Sequence, residues 1–224
     1  MCGRFALFAP LAEIAEYFDL DAAGAAALPP HYNVTPGRAV AVVREREGVR
    51  RLDRLKWGLV PFWAKDASIG HRLVNARLDG LAGKPSFREA FTRRRCLIVA
   101  NGFYEWAPAA GGRRQPFFIR PRVEPLLALA GLWERWRTAE GQTLETCVIV
   151  TTDATAELAP IHDRMPLLVG RDAHSRWLDP RTGLADANEI AAGAPAVEAW
   201  AVSFAVNDPH NDRADLIEPV APSR

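Results

Sequence analysis

Lysine is almost missing from this chain of 224 residues: Lys56, Lys65 and Lys84 stand beside 25 arginines. Cysteine is as sparse. Cys2, Cys96 and Cys147 form an odd set without a CxxC pair, which argues against a disulfide framework and against a zinc site. No apolar run approaches the ~18 residues of a membrane-spanning helix, and no basic leader precedes a short apolar segment with a cleavage site. The chain is therefore expected to be soluble and cytoplasmic, with the nucleoid as the alternative address. An excess of one charge is missing as well. A formal net charge of +1 predicts no polyanion partner from global electrostatics, so an anion would have to be held by a local patch.

What is present describes a globular chain. Hydrophobic residues make up 49% and charged residues 25%, ordinary values for a packed domain, and the length suits one domain with a sizeable core. Arginine in place of lysine, with abundant alanine, reads first as GC-biased coding; its second meaning is bidentate phosphate binding. The apolar spacing of PLAEIAEYFD predicts a helix over 10–19. RAVAVVR (38–44) and VRRLDRLKW (49–57) read as a β-hairpin around EREG, and WGLVPFW (57–63) as a loop carrying two tryptophans. A short helix is expected at 86–93. Strands are expected at 96–100, continuing through GFYEW (102–106), and at 115–120, 126–133, 146–152 and 198–203. Short helices near 154–159 and 172–178 complete the pattern, with surface connections at 21–30 and 107–114. The strand count and turn chemistry predict one α+β domain over 1–224, built on a curved, mostly antiparallel, barrel-like sheet system with flanking short helices.

Four stretches place polar groups where packing alone would not. Cys2 stands directly behind the initiator, and its small side chain makes Met1 a substrate for removal. A free terminal cysteine joins an amine of pKa roughly 7.7–8.0 to a thiol near 8.5. The pair can condense with an aldehyde to an imine and close a thiazolidine ring. Alternatively, the thiolate attacks a carbonyl with the amine as base, as in N-terminal nucleophile hydrolases. In GFYEW, Glu105 follows an apolar run between Tyr104 and Trp106; burial there raises a carboxyl's pKa into the range useful for proton transfer. In IHDRMP, His162 can protonate a leaving oxygen, and Asp163 and Arg164 form a candidate ion pair. In LVNARLDG, Asn75 suits an orienting hydrogen-bond donor and Arg77 a phosphate clamp. Each of these residues also has an ordinary structural explanation, and spacing does not show whether positions 2, 75, 105 and 162 converge.

MCGRF, YNVTPG (32–37), WGLVPFWAKD (57–66), NAR (75–77), RRCLIVANGFYEW (94–106), AGLWE (130–134), IHDRMP (161–166), VSFAVND (202–208) and LIEP (216–219) occur in this order. Together they resemble the SOS response-associated peptidase (SRAP) family, and within it the bacterial abasic-site-processing proteins, over residues 2–219. The resemblance implies that Cys2, after loss of Met1, forms a thiazolidine with the ring-opened sugar of an abasic site in single-stranded DNA, with weak lyase activity through the imine. It implies Glu105 as the acid/base, His162 as the proton donor to the sugar ring oxygen, and Asn75 as the residue that positions the sugar. Arg4, Arg77 and Arg164 are the expected phosphate contacts and Trp106 a stacking surface for flanking bases. Neither a metal nor another cofactor is expected, and the protein is expected to act as a monomer. Leu78 and Gly80 depart from the family's usual residues after NAR, and Arg113 and Arg114 stand where a lysine is frequent. The competing readings are an N-terminal nucleophile peptidase or amidohydrolase, the family's historical description, and a non-covalent single-strand binding module.

Overall fold

A computed structural model describes residues 2–20, 28–109, 112–138 and 140–221. The strands are β1 (Phe5–Leu7), β2 (His31–Val34), β3 (Ala39–Arg46), β4 (Val49–Trp57), β5 (Asn75–Arg77), β6 (Arg95–Ala100), β7 (Gly102–Pro108), β8 (Arg114–Pro121), β9 (Leu127–Arg137), β10 (Thr143–Asp153), β11 (Arg164–Pro166) and β12 (Val197–Ala201). The helices are α1 (Leu11–Phe18), α2 (Arg88–Arg93), α3 (His174–Leu178) and α4 (Leu184–Ala192). None of the described helices is long and apolar enough to cross a membrane.

Two sheet systems share one core. The β3–β4 hairpin pairs from Ala39↔Lys56 to Arg46↔Val49, β3 also pairs with β6, β6 with β9, and β9 with β10. The ring closes where β10 meets β4 in parallel, at Thr146↔Lys56 and Cys147↔Trp57. The closure is short, so it covers the sheet edge at the C-terminal end of β4. The second sheet, ordered β12-β8-β7-β1-β2, is antiparallel throughout. Phe5, Phe103, Ile119 and Val197 from this sheet pack into the same buried cluster as Val42, Leu97, Leu129 and Val148 from the barrel. The expected α+β architecture on curved, mostly antiparallel sheets is the one adopted.

Several local expectations are corrected. Residues 96–106 are not one strand: β6 belongs to the barrel and β7 to the second sheet. Asn101 breaks the run, because its side-chain oxygen accepts from the backbone N–H groups of Phe8 and Ala9 at 2.7 and 2.9 Å. No helix forms at 154–159. Pro160 has no N–H to continue one, and the segment instead closes turns through Ala159 N–H to Thr155 and His162 N–H to Leu158. The 172–178 helix is α3 preceded by a 3-10 turn at Arg171–Ala173. Strands β1, β2, β5 and β11 and helix α4 carry no sequence signal strong enough to predict them. Residues 21–27 and 110–111 of the expected connections, and Met1, lie outside the described residues.

Gly102 sets the close packing of β7 between β1 and β8 in the second sheet. It pairs with Ala6, and a Cβ there would lie 2.4 Å from Phe118 Cζ and 2.6 Å from the carbonyl oxygen of Ile119. Backbone cannot yield as a side chain can, so Gly102→Ala should cost about 1–3 kcal/mol. A thermal melt is expected to show the loss, and an unchanged melting temperature would refute the packing described.

His174 offers a separate test of the core. It is fully buried, stacked on Phe18 with ring centroids 5.0 Å apart, and set edge-on to Tyr17. Burial, aided by the cations of Arg50 and Arg171 against the opposing Asp19, lowers its pKa from 6.5 to about 4. The unfolded chain therefore binds the proton first. Its contribution to stability is full above pH 6.5 and is lost as pH falls toward 4, by up to about 3 kcal/mol. Denaturant titrations at pH 7 and pH 4.5 should show a smaller acid loss for His174→Phe than for the parent chain.

Candidate active site

The amino terminus is a sheet interior. Strand β1 lies between β2 and β7, with Phe5 opposite both Val34 and Phe103, and the N–H of Tyr104 donates to the carbonyl of Arg4 at 2.9 Å. Pairing on both sides holds a segment that would otherwise fray. Cys2 is completely buried, and among the described residues its thiol makes a long contact, 3.9 Å, to the Arg4 carbonyl. Burial pushes the thiol well above its ordinary range, and the negative charge of Glu105 adds in the same direction.

Asn75 reaches this point through β5, which pairs in parallel with β10 at Ile149↔Asn75. Its amide nitrogen donates to the Cys2 carbonyl at 2.8 Å, while its side-chain oxygen is buried with no partner among the described residues. Glu105 comes from β7, opposite Phe117 of β8, and is 3% exposed. Burial raises its carboxyl above the usual range, against a smaller opposing pull from His162. Glu105 and His162 line one narrow crevice with Phe103, Ile119, Leu158 and Met165. The four positions picked from sequence thus meet: Asn75 bonds to Cys2, Cys2 feels Glu105, and Glu105 shares its crevice with His162.

His162 is fixed by its own turn. The Arg164 backbone N–H donates to Nδ1 at 2.9 Å, which places the neutral ring's proton on Nε2. The Asp163 carboxylate stands 2.8 Å from the same Nδ1 and becomes its partner when the ring is doubly protonated. Arg164 does not pair with Asp163. It turns to Asp153 at 2.5 Å and to the Thr151 carbonyl at 2.8 Å.

The remaining arginines differ in freedom. Arg77 is largely exposed and tied to Asp79 at 3.1 Å, so the departure at 78–80 keeps the acid in use. Arg4 is half-buried: one guanidinium nitrogen donates to Asn33 Oδ1 and to the Val206 carbonyl, both at 2.7 Å, and the group lies 5.9 Å from the Trp106 ring centroid. Trp106 is half-exposed, with Nε1 donating to Asn207 Oδ1 at 2.8 Å.

Sequence reading missed the residues that hold this face together. Asn33 is completely buried, and its amide donates to the carbonyls of Val206, Asp208 and Asn211 at 2.7–3.2 Å. Asp212 accepts from the His31 ring and from the N–H groups of Tyr32 and Asn33. The signal was a polar residue inside YNVTPG and another just past VSFAVND, two motifs far apart in sequence that meet only in the fold.

A family model described as SOS response associated peptidase (SRAP) matches residues 1–209. Abasic site processing protein YoaM of Bacillus subtilis is 37% identical over 222 residues, covering 97% of this chain and 98% of that one. Abasic site processing protein YedK of Escherichia coli is 35% identical, covering 98% and 100%. A crystal structure of a Bacteroides thetaiotaomicron protein superposes with a TM-score of 0.84 at 24% identity, covering 98% of this chain and all of the other, a likeness of fold.

Proposed function

The chain belongs to the SRAP family, and from that premise we propose that it captures abasic sites in single-stranded DNA through a covalent bond to Cys2. The family relatives named as abasic site processing proteins support the substrate. The observation that carries the chemistry is the meeting of Cys2, Asn75, Glu105 and His162 around one amino terminus.

With Met1 attached, the Cys2 nitrogen is a peptide nitrogen and cannot act, so removal of Met1 comes first. The sugar opens as the imidazolium form of His162, its Nδ1–H on Asp163, gives its Nε2 proton to the ring oxygen while that bond breaks. The freed amine then adds to the exposed aldehyde carbon. One water leaves as the imine forms, the carbinolamine oxygen taking its proton through Glu105, whose carboxyl burial raises above the usual range. The thiol adds across the C=N bond: sulfur bonds to carbon, and the thiol proton passes to nitrogen through the same carboxylate. Asn75 orients the reacting terminus by its bond to the Cys2 carbonyl, and its buried side-chain oxygen is placed for a sugar hydroxyl. Ring closure consumes the imine before it can acidify the neighbouring carbon and expel the 3′ phosphate, so lyase cleavage is a minor branch. Arg4, Arg77 and Arg164 take backbone phosphates and Trp106 a flanking base. Residues 1–224 act as one SRAP domain, a monomer on exposed single strands in the cytoplasm.

The hydrolase reading requires a thiolate. Burial holds the Cys2 thiol protonated, which favours the amine-first route. A denaturing gel after incubation with a single-stranded oligonucleotide bearing one abasic site separates the readings. A retarded band with the abasic strand and none with its intact counterpart is expected; no band, together with peptidase or glutaminase turnover, would overturn the proposal.

A further inference from the structure

The turn that holds Trp106 also presents a second aromatic ring. Phe204 opens the 3-10 turn Phe204–Asn207, capped by Ser203, and is half-exposed. The same turn supplies Asn207 to the Trp106 indole and the Val206 carbonyl to Arg4. Arg113, at the tip of the β7–β8 hairpin, lays its guanidinium 4.4 Å from the Phe204 ring centroid. No carboxylate among the described residues pairs with Arg113, which is exposed. Its neighbour Arg114 donates twice to the Trp106 carbonyl, tying the hairpin tip to the same ledge.

We propose that Phe204 and Arg113 form a second stacking subsite that holds a nucleobase and its phosphate in the single strand beyond the one resting on Trp106. Two aromatic faces alternating with arginines are what a sequence-tolerant single-strand track needs: each base offers a π face, and each phosphate a bidentate acceptor. In an overall near-neutral chain, an exposed guanidinium held over a ring by no acid is available to an anion. Continuity with Trp106 and Arg4 selects single-stranded nucleic acid as the occupant. The inference rests on the proposed groove, yet it concerns non-covalent binding and can be read without the covalent step.

The test is fluorescence anisotropy with an unmodified single-stranded oligonucleotide, so that no crosslink forms. Phe204→Leu keeps an apolar side chain but loses the π face, and should weaken binding about 5- to 150-fold, the range for one base–aromatic stack. Phe204→Trp should bind as tightly as the parent chain. Arg113→Gln, at an exposed position where folding is not at stake, should make the log–log salt slope shallower by about 0.7, the increment for one phosphate on a single strand. Parental affinity in Phe204→Leu, equal losses in the Leu and Trp variants, or no measurable binding by the parent chain would overturn the subsite. If the affinities follow the expected order but no adduct forms on an abasic strand, the subsite stands and the covalent reading falls.

Discussion

Cys2→Ser is expected to leave no heat-stable adduct with abasic single-stranded DNA. Serine keeps the amino-terminal amine, so condensation with the aldehyde still occurs. Its hydroxyl closes only the oxygen analogue of the ring, which water reopens readily. The arrested imine then has two exits, hydrolysis and β-elimination. The variant should therefore release cleaved strand where the parent chain protects it, a reversal of product visible on one denaturing gel run before and after heating. The size of the effect follows from the site. Cys2 is the residue whose carbonyl Asn75 holds and whose thiol sits beside Glu105, whereas Cys96 and Cys147 are buried in the barrel strands β6 and β10. Undiminished, heat-stable adduct in the serine variant would place the bond elsewhere.

Glu105→Gln is expected to slow adduct formation by about 10²- to 10⁴-fold, the usual contribution of a positioned acid/base, with little change in affinity for unmodified DNA. Gln115 is not a substitute, since its amide is spent on the carbonyls of Pro116 and Val202. The same substitution should stabilise the fold at neutral pH. A carboxyl whose pKa is raised in the folded state loses stability as pH rises from its ordinary value through the raised one, so removing its charge removes that penalty. Slower chemistry with an equal or higher melting temperature marks a functional group held at a cost to the fold. Rate constants from quenched time points, with melts of the same samples, read both; a variant that is slow only because it is unfolded would contradict the assignment.

The legibility of this chain followed the range of the interactions. The β3–β4 hairpin was readable because alternation and the EREG turn lie within one window, and its register runs through eight consecutive pairs. Leu11, Ile14 and Phe18 similarly announced α1. Strand β1 was not readable: three residues gain their conformation from β2 and β7, distant in sequence. The break between β6 and β7 depended on Asn101 bonding to Phe8 and Ala9, an interaction with no local signature. At the site, residue types suggested chemistry, and family resemblance selected among alternatives. Only the fold brought Asn75, Glu105 and His162 to Cys2, and only the fold revealed Asn33 and Asp212 as the residues that dock Arg4 and the 204–212 segment.

The central claim is a thiazolidine at Cys2, and intact mass spectrometry of the adduct before and after borohydride treatment tests it most directly. An imine and a thiazolidine have the same mass, that of the Met1-free chain plus the oligonucleotide less one water, but only the imine takes up two hydrogens on reduction. The prediction is an adduct of that mass, unchanged by borohydride and mapping to the Cys2 peptide. An adduct that gains two hydrogens, maps to another residue, or forms on a chain that retains Met1 would contradict it.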